Sequence, residues 1–293
     1  MYAQPDPRLT KRPVTRDRGE VDEWRSAASE TFLRMTTVTP VAGERGRARS
    51  VLLAFNTVER LMKGDFFHCV TSRDVVAALE TFDPSWAVVG LGTSNHAGRH
   101  GELFVDGTAS EPRLLWADPE GTPAAVLGTI DDADPLPFVA AAVCDPEAGP
   151  LRWELTDGEP IHVAVADRCA NANVGLAALR LRGELHDVTY QVMCHIPVGG
   201  VAQHRPAVAR QAHENVGSWE ALGVYAANPT IQAVVSHGVA SVHLHARSGA
   251  PLHGGHLNRA LAGASTVVEA WPIGELVVRI RDLDVAVYDE RPS

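Results

Sequence analysis

The sequence predicts an α+β fold with extensive mixed or antiparallel β-sheet, on three observations. Helical spacing of apolar residues is concentrated before residue 84. Short strand-like segments dominate after it, and the two kinds do not alternate as a doubly wound sheet requires. Residues 1–18 are polar, contain proline and show no periodicity, so they are expected to be an arm, flexible or docked at the periphery. Trp24, Ala27, Ala28, Phe32 and Met35 recur at helical spacing and predict a helix from Val21 to Met35. A Gly/Arg linker from Ala42 to Arg49 leads to a second amphipathic segment, Val51 to Met62, ended by Gly64. Ser72 is placed to cap a short helix through Glu80, with Asp74 in its first turn.

Beyond Pro84, Trp86 to Gly92 is an apolar run. Gly101–Val105 and Arg113–Trp116 read as strands joined by a turn at Asp106 and Gly107. Further strands are predicted at Val139–Cys144, Ile161–Ala166, Leu176–Arg182, Val188–Ile196, Gln232–Val235, Val239–Ala246, Thr266–Ala270 and Leu276–Ile280, with one later helix, Pro206–Leu222. Gly90 and Gly92 lack the third glycine and following helix of a dinucleotide fingerprint. No phosphate loop, nucleophile elbow or internal repeat is present.

Composition narrows the function. The chain has 293 residues and a net charge of −10, with the positive excess confined to residues 1–50. An acidic body disfavours nucleic acid as a partner. No apolar run approaches a membrane span or the core of a signal peptide, so no membrane partner and a cytoplasmic location are expected. Cys69, Cys144, Cys169 and Cys194 are widely separated and are expected to be buried thiols.

The strongest chemical signal is histidine. Five of 13 (His237, His243, His245, His253 and His256) crowd into residues 237–256. On a strand, alternate residues share a face, so His243 and His245 project together while Leu244 points the other way. After a turn at 248–251 the chain can return with His256 on the neighbouring strand. Gly254 and Gly255 remove bulk there, where backbones must approach. Three imidazoles from one hairpin make an open site for a divalent metal, with positions left for water or substrate. His253 and His237 are expected to stand outside that set.

His243, His245, Ser248, Gly254, Gly255 and His256 together resemble the metal-binding hairpin of the α-acetolactate decarboxylase family. The run from Gly90 to Asn95, followed by Gly101, Glu102, Leu103, Asp106 and Gly107, is similar to that family's first hairpin. Pro137–Val139 and Leu176–Glu184 resemble two further strands, in the same order, so the likeness covers about residues 55–280. The resemblance implies a mixed or antiparallel sheet subdomain packed with a small β-barrel-like C-terminal subdomain, within one catalytic domain over 51–293 after an N-terminal extension over 1–50. It also implies a homodimer, zinc on His243, His245 and His256, and a keto or hydroxy-keto acid as small-molecule substrate. The implied reaction is decarboxylation of a β-keto or 2-hydroxy-3-keto acid through an enediolate whose charge the metal stabilises. Glu102 matches the family glutamate and is the candidate proton carrier.

Three departures bear on substrate. Gln191 and His195 stand where the family has arginines, and a glutamine lacks the charged fork that grips a carboxylate. The stretch between Thr93 and Glu102 is two residues longer and brings in His96, Arg99 and His100, one of which can replace the missing cation. The chain after His256 is short of the family's second acid, leaving Glu275, Asp289 and Glu290 as stand-ins. Thr93 and Gln191 are the expected positioners of substrate oxygens, with Arg99 and His195 as further substrate contacts. Two other readings stay open: a non-decarboxylating isomerase, cyclase or aldol-type enzyme of specialised metabolism, or a non-catalytic relative stabilised by zinc.

Overall fold

The computed structural model describes residues 30–36, 50–55, 70–96, 99–117, 127–129, 134–195, 206–236, 241–249 and 252–281. In chain order the elements are β1 (Glu30–Thr36), β2 (Val51–Phe55), β3 (Val70–Thr71), α1 (Ser72–Leu79), β4 (Ala87–His96), β5 (Arg99–Thr108), β6 (Pro112–Ala117), β7 (Leu127–Thr129), β8 (Pro135–Leu136), β9 (Phe138–Cys144) and β10 (Leu151–Glu154). They continue with α2 (Ile161–Asn171), β11 (Leu176–His195), β12 (Pro206–Ala226), α3 (Pro229–Val235), β13 (Val242–Gly249), β14 (Leu252–Ala262), β15 (Val267–Pro272) and β16 (Glu275–Arg281).

Two sheets carry the fold. The first has the order β1-β16-β2-β9-β4-β5-β6-β7 and is antiparallel except where β16 runs parallel to β2. The second has the order β10-β15-β11-β12-β13-β14, and β14 returns to pair with β11. That last pairing closes β11, β12, β13 and β14 into a four-stranded barrel. The predicted mixed sheet with a small barrel is therefore present.

Strand alternation divides the apolar residues among three cores. Leu91 and Phe104 of the first sheet meet Leu176, Leu222 and Val224 of the second. Leu179, Tyr190, Leu244 and Ala246 line the barrel's inner face and continue onto Ile161 and Cys169 of α2. Leu53, Val88 and Leu103 cover the outer face of the first sheet, under Val75 and Leu79 of α1. Each fully buried Leu or Phe contributes about 1.5–3 kcal/mol.

Several elements differ from expectation. Residues 30–35 are not helical: they form the edge strand β1, paired with β16, and the rest of the predicted helix and arm lies outside the described residues. Val51–Phe55 is a central strand between β16 and β9, buried on both faces, which explains its unbroken apolar run. Pro206–Leu222 is strand β12. Its alanines suit a helix locally, but pairing with β11 along its length overrides that propensity, and at Gly223 an added Cβ would lie 1.9 Å from the His243 carbonyl oxygen.

Ile161–Ala166 is instead the start of helix α2, whose buried Ile161, Ala164, Val165 and Cys169 follow helical spacing beyond the predicted segment. Gln232–Val235 ends helix α3, opened by an Asn228 side-chain cap and Pro229 in the first turn. The cap of α1 is Thr71 rather than Ser72, with Asp74 completing a capping box. The β5–β6 turn lies at residues 109–111, beyond Gly107. Cys144 and Cys169 are buried free thiols, and burial raises both, Cys169 to about 12. No helix among the described residues is long and apolar enough to cross a membrane.

Candidate functional site

The site forms where the barrel wall faces the first sheet. Leu244 and Ala246 fill the barrel interior, so the alternate residues of β13 (His243, His245 and Arg247) face outward toward β5. His256 lies directly across from His245 in the β13–β14 ladder, and such partners share a face. The ring nitrogens of His243, His245 and His256 lie within 4.8 Å of one another.

Two glycines permit this closeness. A Cβ at Gly254 would stand 2.2 Å from the Ala246 carbonyl oxygen, and one at Gly255 2.4 Å from that of Gln191. The pinch predicted at these residues is real, and it comes from both neighbouring strands.

The donor set suits a divalent metal. His245 Nδ1 is 2.9 Å from the Leu103 carbonyl oxygen, which only accepts, so Nδ1 carries the proton and Nε2 presents its lone pair. That Nε2 faces Glu102 Oε2 at 3.2 Å, where a proton on the carboxyl or a shared cation reconciles two acceptors. His243 Nε2 and His256 Nδ1 stand 3.1 Å apart. Ligands at ~2.1 Å in a tetrahedron are ~3.4 Å from one another, so these spacings suit a common ion. His243 and His245 are buried and His256 is half-buried, so the cradle opens on the His256 side.

On the first sheet, Glu102, Phe104 and Asp106 alternate along β5 toward the barrel. Glu102 is only 1% exposed. Thr93 is its cross-strand partner on β4, and the Thr93 hydroxyl is buried without a hydrogen bond among the described residues. Gln191 lies opposite His256 in the β11–β14 ladder and is half-buried. The geometry thus brings Glu102, Thr93 and Gln191 to the three histidines.

Other predicted contacts fall elsewhere. The side chains of Arg99, His195, His96 and His100 lie outside the described ones, as do His237, Asp289 and Glu290. Glu275 pairs with Val51, which is level with Val88 through Val143, so Glu275 is roughly 17 Å along the sheet from the Thr93–Glu102 pair and cannot serve as the second acid. His253 turns away from the cradle. It is buried against Tyr190 and Trp219, at ring-centroid distances of 5.9 and 5.5 Å, and its Nε2 bonds Glu214.

Sequence reasoning missed a charged cluster beside the site. Arg247 bonds Asp106 and Glu220, Arg113 holds Asp106 through two bonds of 2.9 Å, and Arg182 reaches Glu220 at 3.0 Å. Burial raises the Glu220 pKa, but Arg247 and Arg182 more than offset it, and the carboxyl sits below its ordinary range. Burial likewise opposes charge on Arg247, yet Asp106 and Glu220 hold its pKa above the usual value. The signal was available: Arg247 shares its strand face with His245 two residues away, and Asp106 shares one with Glu102.

No protein-family model matches the sequence, and no curated protein does. Solved structures do match. An alpha-acetolactate decarboxylase from Bacillus subtilis strain 168 is 13% identical with a TM-score of 0.58, over 80% of this chain and 90% of that one. A Staphylococcus aureus protein of unknown function, described as similar to alpha-acetolactate decarboxylase, is 14% identical with a TM-score of 0.54, over 82% and 93% of the two chains. The acetolactate decarboxylase of Bacillus subtilis subspecies spizizenii gives 14% and 0.54, over 81% and 92%. At such identities the likeness is one of architecture, and the chain has an acetolactate-decarboxylase-like fold.

Proposed function

We propose that the chain is a zinc-dependent carbon–carbon lyase that decarboxylates a β-keto or 2-hydroxy-3-keto acid. The observation that carries this reading is a buried carboxyl, Glu102, set 3.2 Å from one of three converging imidazoles. His245 and His243 through Nε2, and His256 through Nδ1, would hold the ion. A bound divalent cation supplies Lewis-acid stabilisation of the negative charge that develops on substrate oxygen.

The remaining work falls to the chain. Substrate enters past half-buried His256, where Gln191 donates its amide hydrogens to a carbonyl oxygen and the Thr93 hydroxyl offers a second neutral donor. As the carbon–carbon bond to the departing CO2 breaks, its electron pair passes toward the adjacent ketone. Glu102 delivers a proton to the carbon left behind and recovers one from solvent, so atoms and charge balance. Leu103 and Phe104, buried on either face of β5 behind Glu102, keep bulk water from that carboxyl.

Incubation of zinc-loaded protein with acetolactate and related acids, following CO2 and the hydroxyketone, tests the reading. Product that disappears in Glu102→Gln supports it, and no product from any such acid at full zinc occupancy rejects decarboxylation. One observation favours a second reading. The neutral Gln191 beside His256 suits a substrate without a carboxylate, and hence an isomerase, cyclase or aldol-type reaction at the same cradle.

A further inference from the structure

We propose that Arg247 is a positioning residue whose bond to Asp106, made across the two sheets, sets where Glu102 stands against His245. The inference rests on the reading of the three histidines as a metal site, and adds a residue to which the family resemblance assigns no role.

Asp106 lies on β5 and is already gripped by Arg113 of β6, a strand of its own sheet. Glu220 lies on β12 and is gripped by Arg182 of β11, again in its own sheet. Each carboxylate thus has an arginine partner within its own sheet. Arg247 nevertheless spends its guanidinium on both, and its bond to Asp106 spans from the barrel to the first sheet.

That crossing bond is coupled to the cradle by a short rigid path. Phe104 lies between Glu102 and Asp106 on the same face of β5. Its ring meets the His245 imidazole edge-on at 5.7 Å, and the Arg247 guanidinium lies 5.9 Å from its centroid. His245 and Arg247 are two residues apart on β13, while their partners Glu102 and Asp106 are four apart on β5. The long arginine side chain spans the extra two residues, about 7 Å along β5. The His245–Leu103 bond ties the two sheets at one point only, and one point leaves them free to pivot; the buried Arg247–Asp106 bond is a second tie that fixes the angle at which Glu102 meets His245.

The test compares Arg247→Met, Arg247→Lys and Arg113→Met for zinc affinity by chelator competition and for the visible spectrum of the cobalt-substituted protein. Arg247→Met is expected to bind zinc about 10- to 100-fold more weakly with an altered cobalt spectrum, the range seen when groups that orient metal ligands are removed. Arg247→Lys keeps the charge but loses the separate Nε donor to Glu220 and the planar guanidinium that lies against Phe104, and should lose several-fold. Arg113→Met removes an exposed partner of the same aspartate and should leave both readouts unchanged. Wild-type affinity and spectrum in folded Arg247→Met, or in Arg247→Lys should the methionine variant not fold, overturns the proposal. An equal loss in Arg113→Met also overturns it, because the effect would then follow network charge. Wild-type protein whose zinc uptake is unaffected by His245→Ala overturns the metal site itself, a distinct failure.

Discussion

Replacing Gly255 by alanine puts the tightest test on the cradle. The new methyl would lie 2.4 Å from the Gln191 carbonyl oxygen and 3.0 Å from its carbon, both backbone atoms, whereas ordinary contact begins at 3.4 Å. Relief therefore requires β14 to move about 1 Å from β11, at an overpacking cost of about 1–3 kcal/mol. His256 is the next residue and moves with it, while metal–donor distances hold only to about ±0.2 Å. Zinc affinity should fall about 10- to 100-fold. Urea unfolding with and without chelator, together with chelator competition, separates the two effects. The sign is diagnostic: with no close approach, Gly→Ala would stabilise by about 0.4–1 kcal/mol through the unfolded chain. A stabilised Gly255→Ala variant with wild-type zinc affinity would refute the reasoning.

Glu102→Gln should lower turnover by about 10²- to 10⁴-fold while zinc stays bound, measured by steady-state rates beside metal analysis. Zinc at a hundredfold its Kd should add about 2.7 kcal/mol to unfolding free energy, lost with chelator and absent in His245→Ala. Glu220 has a folded pKa below its unfolded value near 4.5, so its contribution is full above that range and is lost as pH falls through the folded value. The stability gap between wild type and Glu220→Gln should accordingly be full at neutral pH and narrow as the pH falls below the ordinary carboxylate range, read by urea unfolding at each pH.

The histidine hairpin was legible because strand alternation is a strict period of two, and the glycine pair reported a contact no side chain survives. The strand of Glu102 was legible for the same reason. Pro206–Leu222 was not, because its alanines, valines and glutamates fit either period and only the distant β11 decides between them. Ile161–Ala166 misled in the opposite sense: its alternation is short, and the cysteine that completes the helical stripe lies three residues beyond. Arg247 and Asp106 are 141 residues apart, and no local pattern announces which buried charges will meet.

Closure of the barrel between β11 and β14 has a consequence for the order of assembly. Gln191 meets His256 only after the chain between them has folded into β12, α3 and β13, and Glu102 reaches His245 from far earlier in the chain. The three histidines are near neighbours in the chain, on one hairpin, whereas Gln191 and Glu102 join them through long-range contacts costly in loop entropy. A metal held by the hairpin histidines, once β14 is sealed against β11, slows the opening of a hoop already shut.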